Sequence, residues 1–360
     1  MNVEIENTLN PLSWLIQQQN EPLFLKPDGV RTRYCIGWNG YGRYLPGTLK
    51  VTYNGLPCNI SEESNGIFFN FDIAPSGNYN DYTVSYAVRP LDYAFSTGNE
   101  LGGYKGEEYF LFPNWNNALG EGDAFWIGKW QASNRSSMPQ SKAGMSPWTN
   151  ISRDSAINAC KNKGNGFNIM RNRQWVSIAL WTSHHEIHVK GYIRDDNSDL
   201  DGDGTPLSKL GGTVTGPIIP DTWNHNGRSN GIHHMVGYVW EIMDGLENRS
   251  GEIYIYDENG NYIDSGVSVR DSSGDNIVDI TNTSQAILNE GIANTVTTNG
   301  YIPSNLDGDW AWYNNGQSNV LFRGGGSLDG LRCGLWAFHV IASLSSSNWT
   351  NGFRLSRDLI

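Results

Sequence analysis

The chain has few charges, few cysteines and no long apolar run, and each shortage excludes a class of protein. Only 17% of its 360 residues are charged, and the formal net charge is −12. No segment is rich in lysine or arginine, which argues against nucleic acid or an anionic membrane surface as a partner, because both bind through basic patches. No run of about 18 apolar residues is present, so the sequence predicts no membrane insertion.

The four cysteines are too few and too widely spaced for a disulfide framework or a zinc site. We expect mainly thiols, with a Cys35–Cys58 pair as the alternative. The first residues, MNVEIENTLNPLSWLIQQQ, have neither the basic nor the apolar region of a secretory signal. We therefore expect synthesis in the cytoplasm, with lysis or assembly into a particle as the route to any role outside the cell.

Glycine and aromatic residues are abundant, with 42 Gly, 14 Trp, 17 Tyr and 12 Phe. This composition favours a loop-rich β architecture over disorder, because disordered chains are poor in aromatic residues. The length exceeds the limit of about 250–300 residues for a single core. We therefore predict two domains, residues 1–105 and 106–360.

Short apolar runs alternate with turn signals in residues 1–105, which indicates an antiparallel β-sandwich-like domain. The predicted strands lie in PLFLKP, RTRYCIGW, GTLKVTYNG, GIFFNFDIA and DYTVSYAV.

Two helices are predicted in the second region, which makes the fold class α+β. The first spans residues 153–163, with Ser152 as its N-cap and Gly164 as its stop. The second spans 173–182, with Asn172 as its N-cap and an apolar face. The predicted strands around them lie in FWIGKWQAS, HHMVGYVWEIMDGL, GEIYIYD, VLFRGG, LWAFHVI and GFRLS.

The last forty residues combine a strict glycine-rich pattern with arbitrary side chains. Arg323-Gly324-Gly325 and Gly352-Phe353-Arg354, here called the C-terminal frame, enclose residues with no common chemistry. A catalytic centre dictates its residue types, whereas a recognition surface does not. The pattern therefore favours recognition.

Three segments, taken in order, resemble a known domain. SPWTNISRDSAINACKNKGNGFNIMRNRQWVSIALW, TWNHNGRSNGIHHMVGYVWEI and LFRGGG…GFR resemble the C-type-lectin-fold domain shared by the formylglycine-generating-enzyme group and the variable proteins of diversity-generating retroelements. The resemblance covers about residues 120–360, and GIHHMVGYVWEI departs from the usual GNVWEW wording. It implies a C-type-lectin fold, with mixed sheets, two helices and long loops, and a ligand-binding surface that mutagenic reverse transcription diversifies over about residues 313–354.

The resemblance also implies which positions vary. Adenine mutagenesis of an asparagine codon reaches Gly, Ser, Leu, Asp, Arg, His, Ile and Ala, but not Lys, Glu, Gln, Met or Trp. The positions that match the family's variable sites, with Tyr313 just upstream of the others, are Tyr313, Gly326, Ser327, Leu328, Asp329, Arg332, His339, Ile341 and Ala342.

A calcium site is a further hypothesis. Asp199, Asp201 and Asp203 in DDNSDLDGDG match the opening of a D-x-D-x-D-G calcium loop. The twelfth position is Leu210, where an EF-hand requires Glu. The alternatives are a loop ordered by Ca²⁺ and a solvated acidic turn.

Enzymatic interpretations have less support. The oxidase on this fold uses a cysteine pair in its C-terminal part, where this chain has only Cys333. His185 and His188 lie three residues apart and do not form an HExxH motif. A glycosidase would draw on carboxylates such as Glu241, Asp244, Asp307 and Asp309, which the sequence does not place together.

We therefore expect a binding protein and not an enzyme. The most specific version is a receptor-binding or ligand-display protein on the tail or surface of a virus or phage particle. The N-terminal domain would attach it to the particle, and its partner would be a host cell-surface molecule or another macromolecular ligand. The alternatives are a display protein at the cell surface with the same fold and a carbohydrate-active tail enzyme. Monomer and oligomer both fit the sequence, and an oligomer would gain avidity.

Overall fold

A computed structural model gives the fold of most of the chain. It describes residues 17–25, 27–38, 44–64, 66, 68–88, 103–104, 106–112, 125–164, 166–185, 187–191, 220–229, 231–257, 259–271, 278–280, 290–291, 311–313, 318–329 and 333–358. The elements are mostly β-strands together with two α-helices, which fits the α+β class. The chain forms two compact units, Met1–Leu111 and Phe112–Ile360.

The N-terminal unit contains two antiparallel sheets. Its strands are β1 (Gln17–Glu21), β2 (Arg33–Cys35), β3 (Lys50–Tyr53), β4 (Leu56–Pro57), β5 (Ile60–Glu62), β6 (Phe68–Phe71) and β7 (Tyr82–Val88). One sheet has the order β1-β7-β3-β4 and the other the order β2-β6-β5. An eighth strand, β8 (Tyr109–Phe112), runs across the boundary of the two units.

Aromatic side chains join the two sheets of this unit. The Phe71 ring meets the Tyr82 ring edge-on, with centroids 6.0 Å apart. The Tyr44 hydroxyl donates to the carbonyl of Phe68 at 2.7 Å. Because each buried side chain of this size contributes about 1.5–3 kcal/mol, the aromatic residues supply a large part of the core of this unit.

Four of the five strand predictions in this unit are confirmed, and the prediction for PLFLKP is wrong. Leu23, Phe24 and Leu25 are buried outside any strand. Pro22 and Pro27 flank them and have no backbone N–H to donate to a ladder. The apolar run therefore fills the core, and the strand at this place is β1, which ends at Glu21.

The C-terminal unit contains both helices and the longer strands. The elements are β9 (Phe125–Gly128), β10 (Ser133–Arg135), β11 (Met138–Gln140), α1 (Arg153–Lys163), β12 (Phe167–Ile169), α2 (Asn172–His184), β13 (Trp240–Arg249), β14 (Glu252–Tyr256), β15 (Tyr262–Asp271), β16 (Val278–Ile280), β17 (Ala311–Tyr313), β18 (Ser318–Gly324), β19 (Gly334–Ser343), β20 (Asn351–Phe353) and β21 (Leu355–Asp358).

A large mixed sheet organises this unit. Its strand order is β16-β15-β14-β13-β18-β19-β17, and β20 pairs with β13. The β13–β20 and β17–β19 pairs are parallel. A second sheet includes the strands β12-β21-β9, and β10 and β11 form a separate hairpin.

Helix α1 has the bounds that the sequence predicts. Ser152 caps it, with its side chain accepting the Ser155 N–H, and Gly164 ends it with a φ of 87°. Helix α2 starts one residue earlier than predicted, with Arg171 and not Asn172 as its N-cap. The Asn172 amide is instead buried and donates to Glu290. The Asn172 side chain therefore binds a residue far along the chain and does not cap the helix as the local pattern predicted.

Two strand predictions in this unit need correction. Residues 233–239 precede β13 without joining it, because His234 and Tyr238 have φ values of 55° and 70° that a strand does not accommodate. The predicted strand GFRLS is two strands, β20 and β21, separated at Arg354.

All four cysteines are thiols, so the alternative Cys35–Cys58 disulfide is not formed. Within the described residues, no helix is long and apolar enough to cross a membrane.

Candidate functional site

Arg354 anchors one end of the C-terminal frame inside the protein. It is fully buried, and its guanidinium binds the Glu241 carboxylate at 2.6 and 3.0 Å. Its other N–H contacts, at 2.7–3.3 Å, are with four backbone carbonyls, those of Gly128, Lys129, His233 and His234. A buried charge is stable only when it is fully paired and hydrogen-bonded. Arg354 meets this condition and ties β20 and β21 to the segments at 128–129 and 233–234.

Arg323 anchors the other end in the same way. It is fully buried in β18, and its Nε donates to the Asn172 side chain at 2.9 Å. Its terminal nitrogens donate at 2.6–3.2 Å to the carbonyls of Glu290, Gly291 and Trp336. The two arginines of the frame are therefore structural, and neither is available to a ligand.

The glycines of the frame hold a turn that other residues resist. Gly324 and Gly325 have φ values of 87° and 86°, in the left-handed region that glycine enters at little cost. A Cβ on Gly324 would lie 2.7 Å from the carbonyl oxygen of Met235, and one on Gly325 would overlap Cys333. Cys333 is itself buried, and its thiol donates to the carbonyl of Gly326 at 3.1 Å. These contacts fix the point at which the chain leaves β18.

Trp240 organises the loop that follows the turn. Its indole N–H donates to the Asp329 carboxylate at 2.8 Å, and the same carboxylate oxygen accepts the Gly326 N–H at 2.8 Å. The backbone N–H of Trp240 donates to the carbonyl of Thr350 at 2.9 Å. The side chain of Trp240 thus holds the 326–329 loop, and its backbone holds the approach to β20.

His339 packs against the same tryptophan. Its ring stacks on Phe322, with centroids 4.5 Å apart, and meets the Trp240 ring edge-on at 4.6 Å. Its Nδ1 is buried and has no hydrogen-bond partner among the described residues. Burial lowers the pKa of His339 to about 3. The imidazole is therefore neutral at physiological pH and acts as a flat packing surface.

The residues predicted to bind ligand divide into an inner and an outer group. Gly326, Asp329 and His339 make the internal contacts around Trp240 described above. Leu328 and Ile341 point outward, with 49% and 44% of their surface exposed. They are the exposed large apolar side chains among the described residues of β18, β19 and the 326–329 loop, which singles them out as available to a partner.

The remaining predicted residues are Ser327, Ala342, Tyr313 and Arg332. Ser327 and Ala342 are half-buried. Tyr313 lies in β17, where its backbone is opposite Val340 of β19. Arg332 is outside the described residues, and so are the calcium candidates Asp199, Asp201 and Asp203. Within the described part of the chain, no group of three or more His, Cys, Asp or Glu side chains is arranged to hold a metal ion.

The carboxylates considered for glycosidase chemistry are engaged in structural contacts where the structure describes them. Glu241 pairs with Arg354 and also accepts from the Gln131 amide at 3.0 Å. Asp244 accepts the hydroxyls of Tyr256 and Tyr262 at 2.9 and 3.1 Å. Asp307 and Asp309 are outside the described residues.

Sequence reasoning missed Trp240 and Trp349 as parts of this region. Trp240 stands in GYVWEI. A tryptophan that follows apolar residues such as Val239 is itself a signal of core packing. Trp349, with 59% of its surface exposed, lies within the C-terminal forty residues. Tryptophan is outside the set that adenine mutagenesis of asparagine codons reaches, so the predicted variable set left it out.

Comparisons with known proteins find similarity at the level of solved structures. No family model and no curated protein matches the chain. The solved structures it resembles include three variants of the Major Tropism Determinant. The M1 variant is 12% identical with a TM-score of 0.26, over 73% of this chain and 48% of that one. The U1 variant is 13% identical with a TM-score of 0.30, over 88% and 73%. The P3c variant is 10% identical with a TM-score of 0.30, over 93% and 88%. The chain therefore spans about half the length of the M1 variant.

Proposed function

We propose that the chain is a ligand- or receptor-binding display protein with a C-type-lectin fold, whose surface over about residues 313–354 a retroelement diversifies. The main support for the proposal is that, within this short stretch, some residues fix the backbone and others are exposed to solvent. Arg323, Arg354 and Trp240 fix the backbone from inside, while Leu328 and Ile341 project outward from it. The outward side chains of such a surface can change without weakening the core that holds it.

The exposed side chains have the character of an interface. Leu328 and Ile341 are large and apolar, and each leaves nearly half of its surface in contact with solvent. Apolar residues that flank a rigid loop gain free energy when a partner covers them. Because the loop is already held by Asp329 and Trp240, binding costs little ordering of the chain.

The rest of the proposal rests on the sequence. The N-terminal domain, residues 1–105, attaches the protein to the tail or surface of a virus or phage particle. The partner is a host cell-surface molecule or another macromolecular ligand. Display at a cell surface is the alternative location. We propose no enzymatic role, and the internal bonds of Glu241 and Asp244 support that choice.

The diversification is tested by sequencing the DNA that flanks the gene. We expect a reverse-transcriptase gene and a near-copy of the codons for about residues 313–354. In that copy, adenines stand at the codons that match Leu328, Asp329, Arg332, His339 and Ile341. If neither gene nor copy is present, the diversification proposal fails and a binding protein of fixed specificity takes its place.

The binding role is tested by a library in the full chain. Codons 327, 328, 341 and 342 are randomised, and the library is selected against an unrelated protein such as hen lysozyme. We expect most clones to keep the parental unfolding temperature and some to bind. A second library, in which the buried Phe322 and Phe338 are randomised, is expected to lose folded clones. Equal loss of folding in the two libraries would refute the separation of roles.

A further inference from the structure

A concave site lies in the C-terminal unit, and neither Trp240 nor any predicted variable residue is among its described lining residues. It is a cleft of about 580 Å³, within the usual range of small-molecule sites of about 300–1,000 Å³. Its walls are the turn between β10 and β11, the approach to α1, the α1 helix itself and the segment after β19. We call it the neutral cleft.

Among the residues that the structure describes, no charged side chain lines the neutral cleft. Its lining consists of serine and asparagine residues together with Trp148, Ile151 and Ala159. This is notable because α1 carries Asp154, Lys161 and Lys163, none of which lines the cleft. A polyamine would require a negative side chain at such a site, and a phosphate or a carboxylate would gain its strongest contacts from a positive one. The lining therefore suits an uncharged ligand.

The polar groups of α1 form one stripe along the cleft. Ser155, Asn158 and Asn162 recur at intervals of three and four residues, which places them on one face of the helix. All three are exposed. The amides of Asn158 and Asn162 have no hydrogen bond to the residues that the structure describes. Each amide offers two donors and one acceptor with two lone pairs, so the stripe can both give and receive hydrogen bonds.

The helix N-terminus does not supply the binding capacity. Ser152 is the N-cap, and its hydroxyl already accepts the Ser155 N–H. The capacity lies in the side chains of the stripe and in Ser345 and Ser347 on the opposite wall, both of which are exposed.

Trp148 gives the cleft an aromatic wall. Its backbone N–H donates to the carbonyl of Ala132 at 2.7 Å, and its ring packs on Phe353 with centroids 5.8 Å apart. The ring is half-buried, so it is anchored on one side and available on the other. An anchored indole provides a flat apolar surface with little loss of side-chain entropy on binding.

From these features we propose that the neutral cleft binds a neutral saccharide. A pyranose presents an apolar C–H face, which matches Trp148, and a ring of hydroxyls, which matches the uncharged donors and acceptors of Asn158 and Asn162. An extended peptide is the competing ligand, but it would leave the aromatic wall without a matching flat face. Ser345 and Ser347 lie within the 313–354 stretch of the proposed function, but neither is a predicted variable residue, so the inference does not depend on that proposal.

The test measures binding of the full chain to an array of neutral oligosaccharides built from glucose, galactose, mannose and N-acetylglucosamine. Titration calorimetry with the best array sugar then gives the affinity. We expect the double variant N158A/N162A to bind at least tenfold more weakly. Its unfolding temperature should be unchanged, because both side chains are exposed. Trp148→Ala is expected to abolish binding. If Trp148→Ala fails to fold, the double variant N158A/N162A decides the test.

Two controls separate this site from the rest of the molecule. Lys161→Gln changes α1 outside the cleft, and Leu328→Ser changes the surface assigned to the proposed function. Both are expected to bind the sugar like the parent chain. Three results would overturn the inference: no neutral sugar bound at millimolar concentration, binding that N158A/N162A leaves intact, or preferential binding of acidic sugars or of a random peptide library.

Discussion

Buried neutral histidines predict that the C-terminal unit loses stability in mild acid. His233 lies flat against Trp130, with centroids 4.0 Å apart and planes 5° apart, and neither of its ring nitrogens has a hydrogen-bond partner among the described residues. His225 is fully buried, and its Nδ1 accepts the Ile232 N–H at 2.8 Å, so that nitrogen cannot also hold a proton. Burial lowers the pKa of both histidines well below 6.5, and Lys129 lowers that of His233 further.

The size of the effect follows from proton linkage. In the unfolded chain each histidine takes up a proton below a pKa of about 6.5, and in the folded chain it does not. The stabilising contribution is therefore complete above about pH 6.5 and is lost as the pH falls below it. Between pH 7 and pH 5 each histidine costs at most about 1.9 kcal/mol, and the two together cost at most about 4 kcal/mol.

Urea unfolding followed by tryptophan fluorescence between pH 5 and pH 7.5 measures this loss. The signal reports mainly the C-terminal unit, which contains 12 of the 14 tryptophans. His233→Phe keeps a flat ring against Trp130 and removes the titrating group, so it should reduce the loss by up to about 1.9 kcal/mol. His188→Gln, at an exposed histidine, should leave the loss unchanged. If His233→Phe shows the parental pH dependence, the histidine is already protonated in the folded protein and the reasoning is wrong.

Three further predictions concern the C-terminal frame and the 326–329 loop that follows Gly325. Arg354→Ala leaves Glu241 buried without a countercharge and should cost about 3–5 kcal/mol in urea unfolding, and a cost below about 1 kcal/mol would mean that the ion pair is solvated. Gly325→Ala forces a Cβ against Cys333 at a φ of 86° and should lower the free energy of unfolding by about 1–3 kcal/mol, a prediction that an unchanged melting curve would contradict. Asp329→Ala removes the acceptor for two N–H groups and should raise the hydrogen-exchange rate of residues 326–329, whereas unaltered exchange would show that the loop is held by other contacts.

Elements with local signals were predictable from the sequence, and elements fixed by distant partners were not. Helix α1 has its predicted bounds because Ser152 and Gly164 are both local signals. The N-cap of α2 was missed because Glu290, far along the chain, binds the Asn172 amide. The break between β20 and β21 was missed for a similar reason, since Arg354 turns into the core to reach carbonyls 225 and 226 positions away.

The same division applies to the candidate site. The C-terminal frame was visible as a pattern of arginine and glycine, but the complete burial of Arg323 and Arg354 was not. From the sequence alone, Asp329 and Leu328 were both predicted to be ligand-binding surface residues. The structure separates them, because the Asp329 carboxylate binds Trp240, which lies 89 positions earlier. Partners at such separations leave no periodic trace in the chain.

The strands that bracket the proposed variable surface occupy central places in both sheets of the C-terminal unit. β18 lies between β13 and β19 in the large sheet, and β21 lies between β12 and β9 in the second. A stop codon or frameshift within residues 313–342 would remove β21 and with it the centre of the second sheet. We therefore expect such products to be degraded and not displayed. The position of these strands would act as a reading-frame check, so that mutagenesis of this region yields folded protein only from genes that remain open to their end.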